Sequence, residues 1–243
     1  MSISNRLAEV RARIDAAARG AGRDPSSVRL VAVSKTFPID AVREAYAAGH
    51  RDFGENRVQE ALDKIAASPD LDLRWHLLGH LQTNKARKAA PAFAMIQSLD
   101  SVELLRKLDA AATESGRSPE LLVQVDLAGE ATKYGARPEE VPPIFEAASR
   151  CAAARVVGVM TLPPVPDTPE DSRPWFRQLQ ELRQQWLAGG IPPAMLRDVS
   201  MGMSGDFEVA IQEGATIVRV GTAIFGSRKS SDQPDAPSTG GAL

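Results

Sequence analysis

The chain has 243 residues, of which 43% are hydrophobic and 25% are charged, a composition typical of globular proteins rather than disordered ones. Its 29 lysines and arginines nearly balance its 31 aspartates and glutamates, so no net charge draws it to nucleic acid or to an anionic membrane. A single cysteine excludes an internal disulfide, and no apolar run approaches the roughly 20 residues that span a bilayer. We therefore predict a cytoplasmic protein that binds neither nucleic acid nor membrane, with no metal site.

The predicted elements begin with a helix and continue as repeated strand–helix pairs. Leu7, Val10, Ile14 and Ala17 recur at helical spacing, and Gly20 ends that first segment. Seven apolar runs follow, each with an amphipathic stretch after it, and a last strand is predicted over 216–226. The seven strands are predicted at 29–34, 51–54, 74–79, 95–99, 120–127, 155–162 and 196–202, and their helices at 39–49, 56–68, 83–93, 101–115, 138–152, 169–189 and 206–215.

This order of elements predicts an α/β protein with a parallel sheet. Several strands are apolar almost throughout, as strands covered on both faces are. An open doubly wound sheet is an alternative, but eight βα repeats favour a single (β/α)8 barrel, with an extra N-terminal helix. We predict one barrel domain over 1–228, a mobile loop over 163–174 and a disordered tail over 229–243, where Ser, Pro, Gly and Asp predominate.

Lys35 stands where the first predicted strand ends, in "VAVSKTFP". In a (β/α)8 barrel the functional groups lie at this end of the strands. One interpretation is a lysine whose stem packs on the barrel rim while its ammonium reaches water. The other is a Schiff-base lysine, partly desolvated, that attacks an aldehyde. Its position alone does not decide between the two.

The loops after the seventh and eighth strands have the chemistry of a phosphate site. Such barrels often bind phosphate there, on backbone N–H groups and hydroxyls. Ser204 lies in the seventh loop, "SMGMSGD", and Gly221 and Thr222 follow the eighth strand. Asp206 could simply cap the next helix. Together with Lys35, these donors point to pyridoxal 5′-phosphate (PLP), which needs an amine for its aldehyde and an anchor for its phosphate.

Arg219 is a charged residue inside the apolar run "TIVRVG". A buried arginine requires a partner. One alternative is a salt bridge to Asp198 or Asp126. The other is a hydrogen bond to the pyridine nitrogen of the cofactor, which would leave that nitrogen unprotonated and the ring a weak electron sink.

With these residues in place, the chain resembles the pyridoxal-phosphate homeostasis protein family, whose barrel is that of the alanine racemase N-terminal domain, PLP fold type III. The likeness covers nearly all of residues 5–227, in the ordered segments "VAVSKTFP", "FGENRVQEALDK", "WHLLGHLQTNK", "VQVDLAGEATKYG", "VVGVMTLPP", "SMGMSGDFEVAIQEGAT" and "VRVGTAIFG". It implies a protein that sequesters PLP without catalysis and passes it to apo-enzymes, and we predict a monomer.

The resemblance also implies roles for particular residues. Lys35 would form the Schiff base, Arg219 would face the ring nitrogen, and Asn56 would lie at the cofactor. The phosphate would be held by three residues, Ser204, Gly221 and Thr222. Lys133 matches a lysine near the pocket that could accept the cofactor during transfer; its alternative role is an ordinary solvated lysine. Met160 would lie against the ring or pack in the barrel core.

Two histidines and two tyrosines bear on catalysis. His76 and His80 are predicted to make structural hydrogen bonds rather than to act as acids or bases. An alternative function is an amino-acid racemase, but racemisation needs a second base on the opposite face of the substrate, and Tyr134 is the only obvious candidate. A Schiff-base aldolase or isomerase ranks last because no carboxylate partner for Lys35 is evident.

Overall fold

The structure, a computed structural model, describes residues 1–129 and 134–226. Eight parallel strands form one closed barrel in chain order, β1 to β8, with β8 paired to β1. This arrangement confirms the predicted (β/α)8 fold. The strands are β1 Arg29–Val33, β2 Asp52–Glu55, β3 Arg74–Leu77, β4 Met95–Leu99, β5 Glu120–Val125, β6 Arg155–Thr161, β7 Asp198–Ser200 and β8 Ile217–Val220.

Helices cover the outside of the barrel. They are α1 Ile3–Gly20, α2 Ile39–Ala47, α3 Val58–Ala66, α4 Ala86–Ala89, α5 Val102–Ser115, α6 Val141–Ala148, α7 Arg173–Ala188, α8 Phe207–Gln212 and α9 Thr222–Phe225. The extra helix α1 begins at Ser2, whose hydroxyl accepts a hydrogen bond from Asn5 N–H at 3.2 Å. Its apolar stripe, from Ile3 to Ala18, packs against α2, α8 and α9. None of the described helices is long and apolar enough to cross a membrane.

Side chains alternate in direction along the strands and so form two separate cores. Residues that point outward pack under the helices, and residues that point inward fill the barrel. The inner apolar cluster includes Val31, Met95, Leu122, Met160 and Ile217, all of them buried. A register shift between β5 and β6 adds Val157 to this cluster. The barrel interior is thus packed below its mouth, and any ligand must lie at one end.

Four predicted elements differ from the observed ones. The last strand ends at Val220 rather than 226, because the chain turns at Gly221 into α9. A Cβ at Gly221 would lie only 3.2 Å from Val33 O. The helix predicted over 83–93 is a short 3-10 turn followed by α4, because Pro91 cannot continue a helix. The helices predicted at 138–152 and 169–189 each begin with a 3-10 turn, and the first ends early at Ala148.

The predicted loop over 163–174 is shorter than expected. Thr168 N–H donates to Asp171 Oδ2 at 2.7 Å in a capping box that starts a 3-10 turn, and α7 begins at Arg173. Only residues up to 168 are irregular, and their mobility stays a prediction. The predicted tail over 229–243 and Lys133 lie outside the described residues.

Candidate cofactor site

Lys35 lies two residues beyond β1, at the carboxyl end of the barrel. Its neighbour Thr36 has φ 68°, and it is the one described non-glycine residue with positive φ. A β-branched residue in that conformation costs roughly 1–3 kcal/mol, and such strain is found chiefly at functional sites. Lys35 is half-buried and lies in the turn after β1, which the N–H of Phe37 closes by donating to Ser34 O at 3.0 Å. The loops after the strands converge at this end of a barrel, so Lys35 lies at the mouth. Its ammonium donates no hydrogen bond to any described residue.

Arg219 is buried at the top of the barrel interior, with 3% of its surface exposed. Its Nη1 donates to Ser200 Oγ at 2.6 Å and its Nη2 to Thr161 O at 2.9 Å. Both acceptors are neutral, and burial lowers the pKa of the guanidinium to about 10. Of the five N–H groups that an arginine carries, the remaining three donate to no described residue. Arg219 thus keeps a positive charge and free donors beside the mouth.

The alternative salt bridges for Arg219 are wrong. The carboxylate of Asp198 pairs with Arg197 at 2.6 Å. The carboxylate of Asp126 accepts hydrogen bonds from the amides of Ala128 and Gly129. Each aspartate is therefore occupied by its own neighbours.

A chain of side-chain hydrogen bonds connects Arg219 with the other end of the barrel. Ser200 Oγ donates to Gln97 Oε1 at 2.6 Å, and Gln97 Nε2 lies 3.3 Å from His76 Nδ1. His76 Nε2 lies 3.0 Å from Asp52 Oδ1. Because Ser200 gives its only proton to Gln97, its oxygen is free to accept from Arg219. This series of hydrogen bonds therefore orients the guanidinium of Arg219.

The predicted phosphate loops meet at Ser204. Gly221 N–H donates to Ser204 Oγ at 3.1 Å, and Ala223 N–H lies 3.4 Å from the same oxygen. Asp206 occupies the N-cap position of α8 but makes no side-chain cap. Its carboxylate instead accepts from Met203 N–H at 2.6 Å and from Ser172 Oγ at 2.7 Å. Asp206 therefore shapes the loop after β7, and amides and hydroxyls of two loops converge at one point.

Three further predicted residues lie around this opening at different depths. Thr222 is exposed at the first position of α9. Asn56 follows β2 and borders a rim cleft of about 370 Å³. Met160 is fully buried in the inner apolar cluster, the core position that was its alternative role. The contacts of these three side chains with a ligand stay predictions.

Both histidines contact neighbouring side chains, and the absence of an acid or base role for them stays a prediction. His76 is buried and bonded to Asp52 and Gln97. His80 Nδ1 lies 3.3 Å from Asp100 Oδ2, and its ring stacks on Tyr134 with centroids 3.7 Å apart. Within 1–129 and 134–226, no group of three or more histidines, cysteines or acidic residues could hold a metal ion.

Sequence reasoning missed the residues behind Lys35. Lys64 on α3 reaches through to the barrel wall, where its ammonium contacts Glu55, Glu60 and the carbonyl of Ser34. The spacing of Glu60 and Lys64 is that of an ordinary exposed helix pair, so it carried no sign that Lys64 is buried.

The donor set at the mouth fits a small phosphorylated aldehyde with a ring acceptor. Lys35 offers an amine that has no carboxylate partner within 1–129 and 134–226, and Arg219 offers donors to a neutral acceptor. The loops around Ser204 offer amide and hydroxyl groups of the kind that bind phosphate. A Cβ at Gly205, in the seventh loop, would meet no atom beyond its immediate chain neighbours within 4 Å, so the loop is open at that position.

Comparison with known proteins supports this interpretation. Residues 6–229 match the family described as alanine racemase, N-terminal domain. The pyridoxal phosphate homeostasis protein of Aquifex aeolicus is 44% identical over 229 residues, 94% of this chain and all of the relative. The structure of PipY from Synechococcus elongatus without PLP is 44% identical, covers 93% of this chain and 100% of PipY, and has a TM-score of 0.83. PipY with PLP bound has the same identity and coverage, with a TM-score of 0.80. This chain therefore belongs to the family of the alanine racemase N-terminal domain and, within it, to the pyridoxal phosphate homeostasis proteins.

Proposed function

We propose that this protein binds PLP at the barrel mouth and buffers it without catalysing a reaction on amino acids. The observation that carries the proposal is a pair of cationic side chains. The ammonium of Lys35 has no hydrogen-bond partner in the part of the chain that the structure describes, and the buried Arg219 bonds neutral acceptors there. The relatives named as pyridoxal phosphate homeostasis proteins and the PLP-bound structure of PipY support it.

Each residue of the site has a defined role in this proposal. PLP, when bound, supplies an aldehyde that an amine can hold covalently. Lys35 supplies that amine, Arg219 donates to the ring nitrogen, and Asn56 borders the ring, with Met160 packed in the core beneath it. Ser204 and the backbone amide of Gly221, with Thr222, hold the phosphate. Lys133 accepts the cofactor during its transfer to apo-enzymes.

Two features support a carrier rather than a racemase. An arginine does not give up its proton at neutral pH, so Arg219 leaves the ring nitrogen unprotonated and the electron sink weak. A racemase also needs a second base. Tyr134 is 58% exposed and stacks on His80, while Tyr46 lies at the end of α2 with its ring under Arg51. Both rings are thus engaged by neighbouring side chains, His80 for Tyr134 and Arg51 for Tyr46.

The test is covalent trapping. Purified protein is incubated with PLP, reduced with borohydride and digested, and the modified peptide is identified by mass spectrometry. We expect the label on Lys35, loss of that labelled peptide after Lys35→Ala, and an unchanged yield after Lys107→Ala on the exposed face of α5. An unlabelled wild-type protein, or a label confined to other lysines, would refute the proposal.

Two further measurements separate carrier from enzyme. Solvent deuterium should not enter the Cα of alanine or other amino acids at a catalytic rate; rapid wash-in would show a racemase. PLP-loaded protein should restore activity to an apo-enzyme that depends on PLP. A cytoplasmic location and a monomeric state stay predictions, and size-exclusion chromatography checks the second.

A further inference from the structure

A buried charge cluster lies directly behind the turn that carries Lys35. Lys64 is 7% exposed, and its ammonium donates three hydrogen bonds: to Glu55 Oε1 at 2.6 Å, to Ser34 O at 2.9 Å and to Glu60 Oε1 at 3.0 Å. An ammonium has three donors, so all are used. We call Glu55, Glu60 and Lys64 the clamp. It joins β2 and α3 to the end of β1.

The clamp holds both neighbours of Lys35. On the N-terminal side, Ser34 Oγ donates to Glu55 Oε1 at 2.6 Å while its carbonyl accepts from Lys64. On the C-terminal side, the N–H of Thr36 donates to Glu60 Oε1 at 2.6 Å. Thr36 is the residue with the left-handed φ of 68°. The residue between them, Lys35, has no such contact. The backbone is fixed on either side while the side chain is left available.

Stability alone does not account for the clamp. A buried ion pair loses the hydration of both charges, and apolar residues of similar volume often give equal or greater stability. Here Glu55 is fully buried, and its Oε2 has no hydrogen-bond partner. Burial raises the pKa of Glu55, which shows that its charged form is poorly solvated. The energetically costly clamp contacts the strained turn that carries Lys35.

We propose that Lys64, with Glu55 and Glu60, is a positioning device that fixes where the amine of Lys35 enters the barrel mouth. This inference rests on the proposed function of Lys35. Attachment joins the Lys35 nitrogen to the aldehyde carbon by a C=N bond and releases the aldehyde oxygen as water, with no oxidant or reductant. Its rate depends on holding amine and carbonyl at reacting distance, so a loosened turn slows this step more than it weakens noncovalent binding.

The main test replaces the buried pair by apolar groups in the double variant Glu55→Leu/Lys64→Met. We expect only a modest fall in the thermal midpoint, because the two buried charges are removed together. Glu60 loses its ion pair but is partly exposed to water, and the buried Ser34 hydroxyl and carbonyl lose their partners. We expect unchanged affinity for pyridoxine 5′-phosphate, which lacks the aldehyde, and a rate of covalent PLP attachment at least tenfold lower. Attachment is followed by absorbance and by borohydride trapping. Arg43→Met/Asp70→Asn, which removes an exposed ion pair near α2 and α3, is the control and should leave all three measurements at wild-type values.

Glu60→Ala provides a second variant that is expected to fold, because this carboxylate is 25% exposed. It releases the N–H of Thr36 and removes one of the three Lys64 hydrogen bonds, while Lys64 keeps Glu55 and Ser34 O. We expect attachment to slow threefold to tenfold with pyridoxine 5′-phosphate binding unchanged. Wild-type attachment rates in the double variant, or in Glu60→Ala should the double variant not fold, would overturn the inference. An equal loss of attachment and of pyridoxine 5′-phosphate binding would also overturn it, as general damage. If wild-type protein itself fails to attach PLP, the proposed function fails instead.

Discussion

The two ends of the barrel satisfy their charges in different ways. At the amino end, which we call the floor, Arg74 pairs with Asp52 Oδ2 at 2.5 Å, and His76 bonds the other carboxylate oxygen at 3.0 Å. Although burial raises the pKa of Asp52, hydrogen bonds from His76 and Arg74 hold it below its usual value. At the mouth, Lys35 has no partner among the described residues, and Arg219 bonds only neutral groups.

This difference separates stability from binding. Charges at the floor are paired within the protein, and residues at that end of a barrel contribute mainly to stability. Unpaired donors at the mouth are a cost to the folded protein that a bound anion or ring acceptor offsets. The hydrogen-bond chain through Ser200, Gln97 and His76 joins the two ends, so substitutions at either end test whether they act independently.

The largest effect is expected from Arg219→Met. Loss of a charged donor to the ring should weaken PLP affinity roughly 10- to 100-fold. The thermal midpoint should stay equal or rise, because an uncompensated buried charge is removed. Equilibrium titration and thermal melts measure the two quantities, with the exposed Arg150→Met as control. Unchanged affinity would remove Arg219 from the site.

Asp52→Ala tests the floor. It leaves the buried Nε2–H of His76 without its acceptor, so the free energy of unfolding should fall by about 2 kcal/mol. PLP affinity should stay within twofold of wild type. Denaturant unfolding and PLP titration provide the measurements. A loss of affinity close to that of Arg219→Met would show that the hydrogen bonds through His76, Gln97 and Ser200 transmit changes from the floor to the mouth.

The pH dependence of stability should be traceable to His50 at the floor. Burial lowers the pKa of His50 from 6.5 to about 4. As the pH falls below 6.5, His50 therefore takes up a proton in the unfolded chain but stays neutral in the folded protein. The free energy of unfolding is unaffected by His50 above pH 6.5 and decreases as the pH falls from 6.5 toward 4. We expect about 1–2 kcal/mol of loss between pH 7 and 5, measured by urea unfolding at each pH. In His50→Gln, this part of the decrease in unfolding free energy with falling pH should disappear. The same pH dependence in the variant and in wild type would contradict the assignment to His50.

The smallest effect is expected from Ser204→Ala at the mouth. The amides of Gly221 and Ala223 remain, so affinity for PLP and for pyridoxine 5′-phosphate should fall about fivefold, near 1 kcal/mol. Equal losses for both ligands would place Ser204 at the shared phosphate, whereas a loss for PLP alone would place it at the aldehyde. Ser118→Ala, which removes an exposed hydroxyl bonded to Ala153 O, is the control.

Much of the architecture could be read from hydrophobic patterning. Apolar runs covered on both faces and amphipathic stretches between them indicate a closed parallel barrel, because each pattern reports which faces are buried. The positions of Lys35 and Ser204 at strand ends followed from the same reasoning, since the loops after parallel strands converge at one face. The short helix α9 and the early end of β8 did not, because the close approach of Gly221 to Val33 O comes from strand pairing that the sequence pattern does not report.

The partners of the buried charges were decided only in three dimensions. Arg219 could be recognised as a charge inside an apolar strand, but its acceptors, Ser200 Oγ and Thr161 O, come from β7 and β6. Lys64 resembles any helical surface lysine, and only the packing of α3 against β1 and β2 buries its ammonium behind Lys35. A one-dimensional pattern reports burial averaged over a helix or strand, whereas hydrogen bonds and charge pairs depend on individual distances set by tertiary packing.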